Sequence, residues 1–138
     1  MRWAGETGFP VPPTLPQGIN ITIPSSESGR DIPCRIIYPT SRATEEDRKK
    51  CKGSILHFHG GGWTLGDERS QDALLESFAD AGDLAVISVG YRLAPEDPFP
   101  KAPEDCMDAA EYLIKNSERD YGGPLEFIGG EVCEYHIF

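Results

Sequence analysis

The first residues to ask about chemistry are Ile55-Leu56-His57-Phe58-His59-Gly60-Gly61-Gly62-Trp63 in a chain of 138 residues. An apolar run of strand length ends in three glycines, so a buried strand should stop there and its backbone turn with almost no side chains in the way. Consecutive glycines let N–H groups point into one space. A positioned pair of N–H donors is what acyl transfer needs to hold the oxyanion of a tetrahedral intermediate. The same residues equally suit a tight glycine turn after a strand, with no chemistry attached. Other reactive side chains give weaker signals. Cys133 and His136, with His57 and His59, could supply metal ligands, but a C-x-x-H pair without a second matching pair is a poor zinc signature. His57 falls inside the strand and reads as a core histidine with its hydrogen bonds satisfied rather than as a general base.

Composition narrows the partners. With 26% charged and 38% hydrophobic residues the chain suits one soluble domain, large enough to bury a core but short for a complete multilayer α/β enzyme. A formal charge of −10 repels nucleic-acid phosphates and anionic membranes, which excludes both as partners. The N-terminus has no continuous apolar segment after its basic start, and no stretch is long and apolar enough to span a bilayer, so a cytoplasmic location is expected. Cys34, Cys51, Cys106 and Cys133 are irregularly spaced and are expected to be reduced, with Cys106 a small core hydrophobe. No cofactor is implied.

The elements that must position the glycines follow from periodicity. Residues 1–18 carry Pro10, Pro12, Pro13 and Pro16 and form an extended arm. Alternation over 19–23 and the Ile and Tyr content of 32–38 predict two strands, antiparallel because their link is short. Residues 40–52 read as a charged surface loop or short helix. Gly53 opens the strand that ends at His59. Ser70 is a candidate N-cap for a helix carrying Leu74, Leu75, Phe78 and Ala81 on one face and stopped by Gly82. Residues 84–89 are apolar on both faces, as in a strand covered on both sides. Three prolines between 95 and 100 make 91–100 a rigid loop. A second helix from about Pro103 presents Cys106, Ala109, Ala110, Leu113 and Ile114, ends near Gly122, and is followed by a strand over 125–128.

Two segments together carry a resemblance. His59-Gly60-Gly61-Gly62-Trp63, and Tyr91-Arg92-Leu93-Ala94-Pro95-Glu96 continuing into Pro98-Phe99-Pro100 and Glu104-Asp105, resemble the N-terminal half of the α/β-hydrolase fold in its hormone-sensitive-lipase-like branch of esterases and lipases. The likeness covers residues 19–131 and departs at Asp97, where that family most often has His. It implies an α/β fold with a partial hydrolase sheet in strand order 1-2-4-3-5, the second strand antiparallel, with two flanking helices. It also implies that Gly61 and Gly62 offer the oxyanion-hole N–H groups, that His59 holds the loop's shape, and that the substrate is a small-molecule ester.

The resemblance stops at the nucleophile elbow, where the family places glycine-any-serine-any-glycine on a strained strand-to-helix turn. Here the residues are Gly130-Glu131-Val132-Cys133-Glu134. Val132 stands in the serine's place and has neither a proton to lose nor a lone pair to attack with. Cys133 is one residue out of register. Residues 132–138 therefore form a non-matching tail, and the chain is expected to be a truncated fragment that is inactive alone, lacking nucleophile, acid and base. Two other roles fit the same residues: a non-catalytic relative that binds a small molecule, or a fragment that acts only through a partner. The last strand, left as an open edge, would be a template for self-association.

Overall fold

The computed structural model describes residues 13–131. Along the chain come β1 (Ile19–Pro24), β2 (Asp31–Ile37), α1 (Glu45–Arg48), β3 (Gly53–Phe58), α2 (Asp72–Gly82), β4 (Leu84–Val89), α3 (Lys101–Tyr121) and β5 (Leu125–Gly130). The strands form one sheet in the order β1-β2-β4-β3-β5. β2 runs antiparallel to both β1 and β4, and β3 is parallel to β4 and β5. Parallel neighbours cannot be joined by a hairpin, and α2 and α3 supply the crossovers. This is the strand order and the antiparallel second strand that the sequence led us to expect.

The two long helices lie on opposite faces. α2 packs on β4 and β2, while α3 packs on β3, β1, β5 and β4. All six residues of β4 are consequently buried, which explains a sequence that is apolar on both faces except at Ser88, whose hydroxyl contacts His57. On the α3 face Ala85, Ile87 and Val89 meet Leu56, Ile36, Ala109 and Leu113. On the α2 face a smaller cluster joins Val86 to Ile37, Leu75 and Ala79. α1 has no buried residue and is capped by Thr44, whose hydroxyl accepts the Asp47 N–H. No helix among the described residues is long and apolar enough to cross a membrane.

Both long helices differ from the periodicity reading, for one reason: each turns a carboxylate inward. In α2 the buried residues are Asp72, Leu75 and Ala79, while Leu74 and Phe78 are 41% and 44% exposed. Asp72 accepts Arg35 Nε at 2.8 Å and Nη2 at 2.7 Å, and this pair, 5% and 1% exposed, sets the helix rotation. The remaining Arg35 donors reach Asn20 Oδ1 and the Leu15 carbonyl, and the Leu15 N–H returns to Asp72, so no charge is left bare. Ser70 does not cap α2. The N-cap is Gln71, and the Ser70 hydroxyl instead bonds the Asp67 N–H and carboxylate. Gly82 is the last residue of the helix, but it is not the left-handed cap. Asp83 takes the left-handed conformation at φ 57°, a conformation that aspartate tolerates, with its carboxylate held by Arg42.

In α3 the buried row is Ala102, Asp105, Ala109, Leu113 and Ser117, and Ile114 is 66% exposed. The helix starts at Lys101, with Pro103 in the first turn where no N–H is required. Asp105, with no exposed side-chain surface, accepts both Arg30 Nη1 at 2.7 Å and Nη2 at 2.8 Å, the Arg92 backbone N–H at 2.9 Å, and Arg92 Nη2 at 2.8 Å. Burial by itself raises its pKa, but the hydrogen bonds from Arg92 and Arg30 outweigh that and hold the carboxyl below its ordinary range.

Replacing Asp105 by Asn removes the buried anion that Arg30 and Arg92 share, leaving Arg92 its more exposed pair with Glu27. The expected loss is about 3 kcal/mol in urea unfolding, whereas Glu111→Gln, in an exposed pair of α3, should change stability by less than about 0.5 kcal/mol. Equal midpoints for the two variants would refute this account.

Candidate functional site

The glycine loop leaves the sheet where β3 is paired on both sides. His57 sits opposite Ser88 of β4 and Gly129 of β5, and Phe58 opposite Val89 and Gly130. Gly61, Gly62 and Trp63 then take φ values of 127°, 59° and 64°. A Cβ at Gly61 would lie 2.1 Å from the Leu65 carbonyl oxygen, so glycine is required there by contact as well as by dihedral. A Cβ at Gly62 would meet nothing within 4 Å.

Two carbonyls decide where the glycine N–H groups point. The Gly61 carbonyl accepts the N–H groups of Thr64 at 3.1 Å and Leu65 at 3.0 Å, and also the Thr64 hydroxyl. In a planar trans peptide the following N–H points the opposite way, so the Gly62 N–H is directed away from this turn. One residue earlier, His59 Nδ1 lies 2.8 Å from the Gly60 carbonyl, which turns the Gly61 N–H away from the imidazole.

His59 is 3% exposed and stacked on Tyr91, with centroids 4.2 Å apart and planes at 8°. The Tyr91 hydroxyl donates to the His59 carbonyl. The Gly60 carbonyl facing Nδ1 only accepts, so in the neutral ring Nδ1 carries the proton and Nε2 is left bare, buried and without a hydrogen-bond partner among the described residues. Burial depresses the His59 pKa, opposed by the bond to Gly60 and by Asp67, Glu68 and Glu131. A Cβ on Gly66 would lie 2.8 Å from Nδ1, so this glycine lets the imidazole lie flat. The loop over 91–100 also clamps Trp63: its carbonyl accepts the Ala94 N–H at 2.8 Å, and its indole meets Tyr91 at 5.3 Å.

Beneath the loop lies a cleft of about 340 Å³, lined by the three glycines, Phe58, His59, Trp63, Tyr91, Gly130 and Glu131. The end of β5 enters it, with the Glu131 N–H bonded to the Phe58 carbonyl at 3.1 Å. The Glu131 carboxylate accepts Gln71 Nε2 at 2.8 Å and lies 3.8 Å from His57 Nε2. His57 is less satisfied than its sequence context suggested. Nδ1 contacts Ser88 Oγ at 3.2 Å, but Nε2 is buried with no hydrogen-bond partner among the described residues. Burial lowers the His57 pKa, Glu131 raises it, and His59 lowers it further.

The structure thus brings His59, Gly61 and Gly62 to one cleft. Val132, Cys133 and His136 lie outside the described residues. Among those described, no group of three His, Cys, Asp or Glu is arranged to hold a metal, and Cys34, Cys51 and Cys106 are free. Burial pushes the Cys34 thiol up to about 12. Sequence reasoning missed Gly66, Gln71 and the clamp made by Tyr91. For Tyr91, its place in the second marker segment was the available signal. For Gln71 there was none.

Residues 55–131 match the family described as alpha/beta hydrolase fold. The chain is 38% identical over 107 residues to an arylesterase of Saccharolobus solfataricus, a match covering 78% of this chain and 31% of that protein. It is 42% identical over 67 residues to hormone-sensitive lipase of Homo sapiens, covering 49% and 6% of the two chains. Among solved structures, an arylesterase superposes with a TM-score of 0.67 at 29% identity over 88% of this chain and 38% of its own. The Pyrobaculum calidifontis esterase gives 0.67 at 30% identity over 85% and 36%. The chain therefore spans about a third of the length of such esterases.

Two predictions come from this geometry. Both cleft histidines have pKa values depressed below the unfolded value. The unfolded chain therefore binds more protons, and the stability they contribute is present above about pH 6.5 and lost as pH falls through the folded values. Unfolding midpoints should drop between roughly pH 7 and 5, and His57→Phe should flatten that drop; an unchanged slope would refute the assignment to His57. Tyr91→Phe keeps the stack but removes the donor to the His59 carbonyl, and should cost about 1 kcal/mol in urea unfolding.

Proposed function

This chain belongs to the alpha/beta hydrolase fold family, in its hormone-sensitive-lipase-like branch, and on that premise we propose that the glycine cleft is the oxyanion side of a carboxylic-ester hydrolase site. Gly61 and Gly62 supply the N–H donors, and His59 keeps the loop in shape. The observation that carries this reading is the inward turn of the Gly60 and Gly61 carbonyls, one onto His59 and the other into the Thr64–Leu65 turn. Peptide planarity then aims both following N–H groups outward. As the carbonyl of a bound ester becomes tetrahedral, its oxygen gains charge, and fixed donors stabilise that charge without reorganising. The relatives' names agree with the substrate class, since one is an arylesterase and another an ethyl acetate hydrolase of Pseudomonas putida.

The same reading gives the chain no turnover of its own. A hydrolase of this kind passes through an acyl-serine, and after Gly130 and Glu131 the sequence continues with Val132, which cannot form an acyl-enzyme. We also assign self-association to the edge strand. β5 ends the sheet, its residues are half-buried or exposed, and Phe127 and Ile128 are 59% and 56% exposed. An unpaired edge of this kind accepts another strand.

Hydrolysis of a short-chain nitrophenyl ester by the purified chain should not exceed that by a Gly62→Trp variant, which fills the open space at that position. Turnover well above that control would overturn the claim of inactivity. In sedimentation, the charge of −10 should oppose association at low salt, so the wild type should associate more as salt screens it. Phe127→Lys should remain monomeric, and an identical profile for both would exclude the β5 edge.

A further inference from the structure

Away from the glycine cleft lies a second hollow, of about 290 Å³, where Ile19, Ile21 and Ile36 face Tyr38, Arg48 and Tyr121. Its walls come from β1, β2, α1 and the last residue of α3. β2 runs antiparallel to β4 and Tyr38 follows its last residue, which places the hollow toward the start of β4, whereas the glycine loop leaves the sheet at the other end. The two spaces share no lining residue.

Arg48 sets this hollow apart. Arg30, Arg35, Arg42, Arg69, Arg92 and Arg119 each hold a carboxylate within 3.0 Å. Arg48 alone among the described arginines holds none, in a chain of formal charge −10. Its Nε is buried without a hydrogen-bond partner among the described residues, and its guanidinium lies over the Tyr38 ring, 5.1 Å from the centroid. The Tyr38 and Tyr121 hydroxyls are also without a partner among the described residues. A cluster of donors that lacks an acceptor calls for one from outside. Asp120 borders the hollow but is already engaged, by Arg119 at 2.7 Å and 3.0 Å and by the Tyr112 hydroxyl at 2.7 Å. The charges of Glu45 and Lys49 on the same wall cancel in sum, so that of Arg48 is left uncompensated.

We propose that this hollow binds a small organic carboxylate, with its anionic group on the Arg48 guanidinium and the two tyrosine hydroxyls and its aliphatic body against Ile19, Ile21 and Ile36. A guanidinium presents a planar fork that matches a carboxylate, and hydrogen bonds between ionised partners are the strong ones. Stacking on Tyr38 orients the fork in advance, so less freedom is lost when it is occupied. A cavity of about 150 Å³ suffices for benzene, so 290 Å³ accommodates a chain of about six carbons. The site does not rest on the ester reading of the glycine cleft.

The test uses the full chain, with ¹H–¹⁵N spectra reporting on the Arg48 Nε–H and the Gly62 amide, and calorimetric titration giving the affinities. The probes are hexanoate, acetate (the anion without the body), 1-hexanol (the body without the anion) and inorganic phosphate. Hexanoate should shift the Arg48 signal saturably, leave Gly62 still, and bind about ten-fold or more tightly than the other three. Arg48→Gln should weaken hexanoate about ten-fold; α1 buries no residue, so the fold survives the change. Lys115→Gln removes the same charge from an exposed pair on α3 and should leave hexanoate binding unchanged. Acetate or phosphate binding as tightly as hexanoate would overturn the role of the aliphatic wall, and 1-hexanol doing so would overturn the role of the cation. Equal affinities for wild type and Arg48→Gln, an equal loss in Lys115→Gln, or movement of Gly62 with Arg48 still would each overturn the site.

Discussion

Asp105 has no contact with solvent, and a carboxylate in that position must be compensated completely or it will not remain ionised. Its partners come from distant parts of the chain: Arg30 from the turn between β1 and β2, and both the backbone and the guanidinium of Arg92 from the exit of β4. Satisfying one buried charge therefore fixes the rotation of α3 and the path of the loop over 91–100. The residue before Arg92 is Tyr91, which stacks on His59 and donates to its carbonyl. The shape of the glycine loop thus depends on a carboxylate that does not touch it.

The loop itself concentrates cost. Three successive residues have positive φ, one of them tryptophan, and such positions persist only where neighbours over-determine them. Here the over-determination comes from both sides: the Gly61 carbonyl is tied into the Thr64–Leu65 turn, and the Trp63 carbonyl is tied to Ala94. Burial keeps His59 neutral, so it fixes the Gly60 carbonyl by hydrogen bonding and adds no charge beside the cleft. On the reading proposed above, a neutral, rigid wall suits a ligand whose negative charge appears only during reaction.

Much of the fold was legible because its signals are local. Alternation in β1, the largely apolar run of β4 and the glycines bounding β3 each follow from how many faces of a strand are covered, and the two marker segments then implied the strand order. The helix faces were misread where a polar residue points inward. Leu74, Phe78 and Ile114 are apolar and at helical spacing, yet Asp72 and Asp105 hold the buried positions. Periodicity counts apolar residues, and it cannot register that a carboxylate will find an arginine from another strand. The cap of α2 was misplaced for a related reason, since Ser70 had a nearer partner in Asp67.

By itself the sequence determined that a strand must end in a flexible, side-chain-free turn at Gly60 to Gly62, that a proline-stiffened loop must follow the next strand, and that Val132 offers no nucleophile. Those are properties of residue types, set by sterics and bond chemistry wherever the chain goes. Only the tertiary structure decided that the two loops touch, that Tyr91 and Ala94 hold the glycine turn in one conformation, that His57 faces Glu131 across the end of the sheet, and that the Trp63 indole meets Tyr91. Each of these is a contact between segments far apart in sequence. Such contacts form only once the sheet order β4-β3-β5 has brought the strand ends side by side, and no local pattern encodes them.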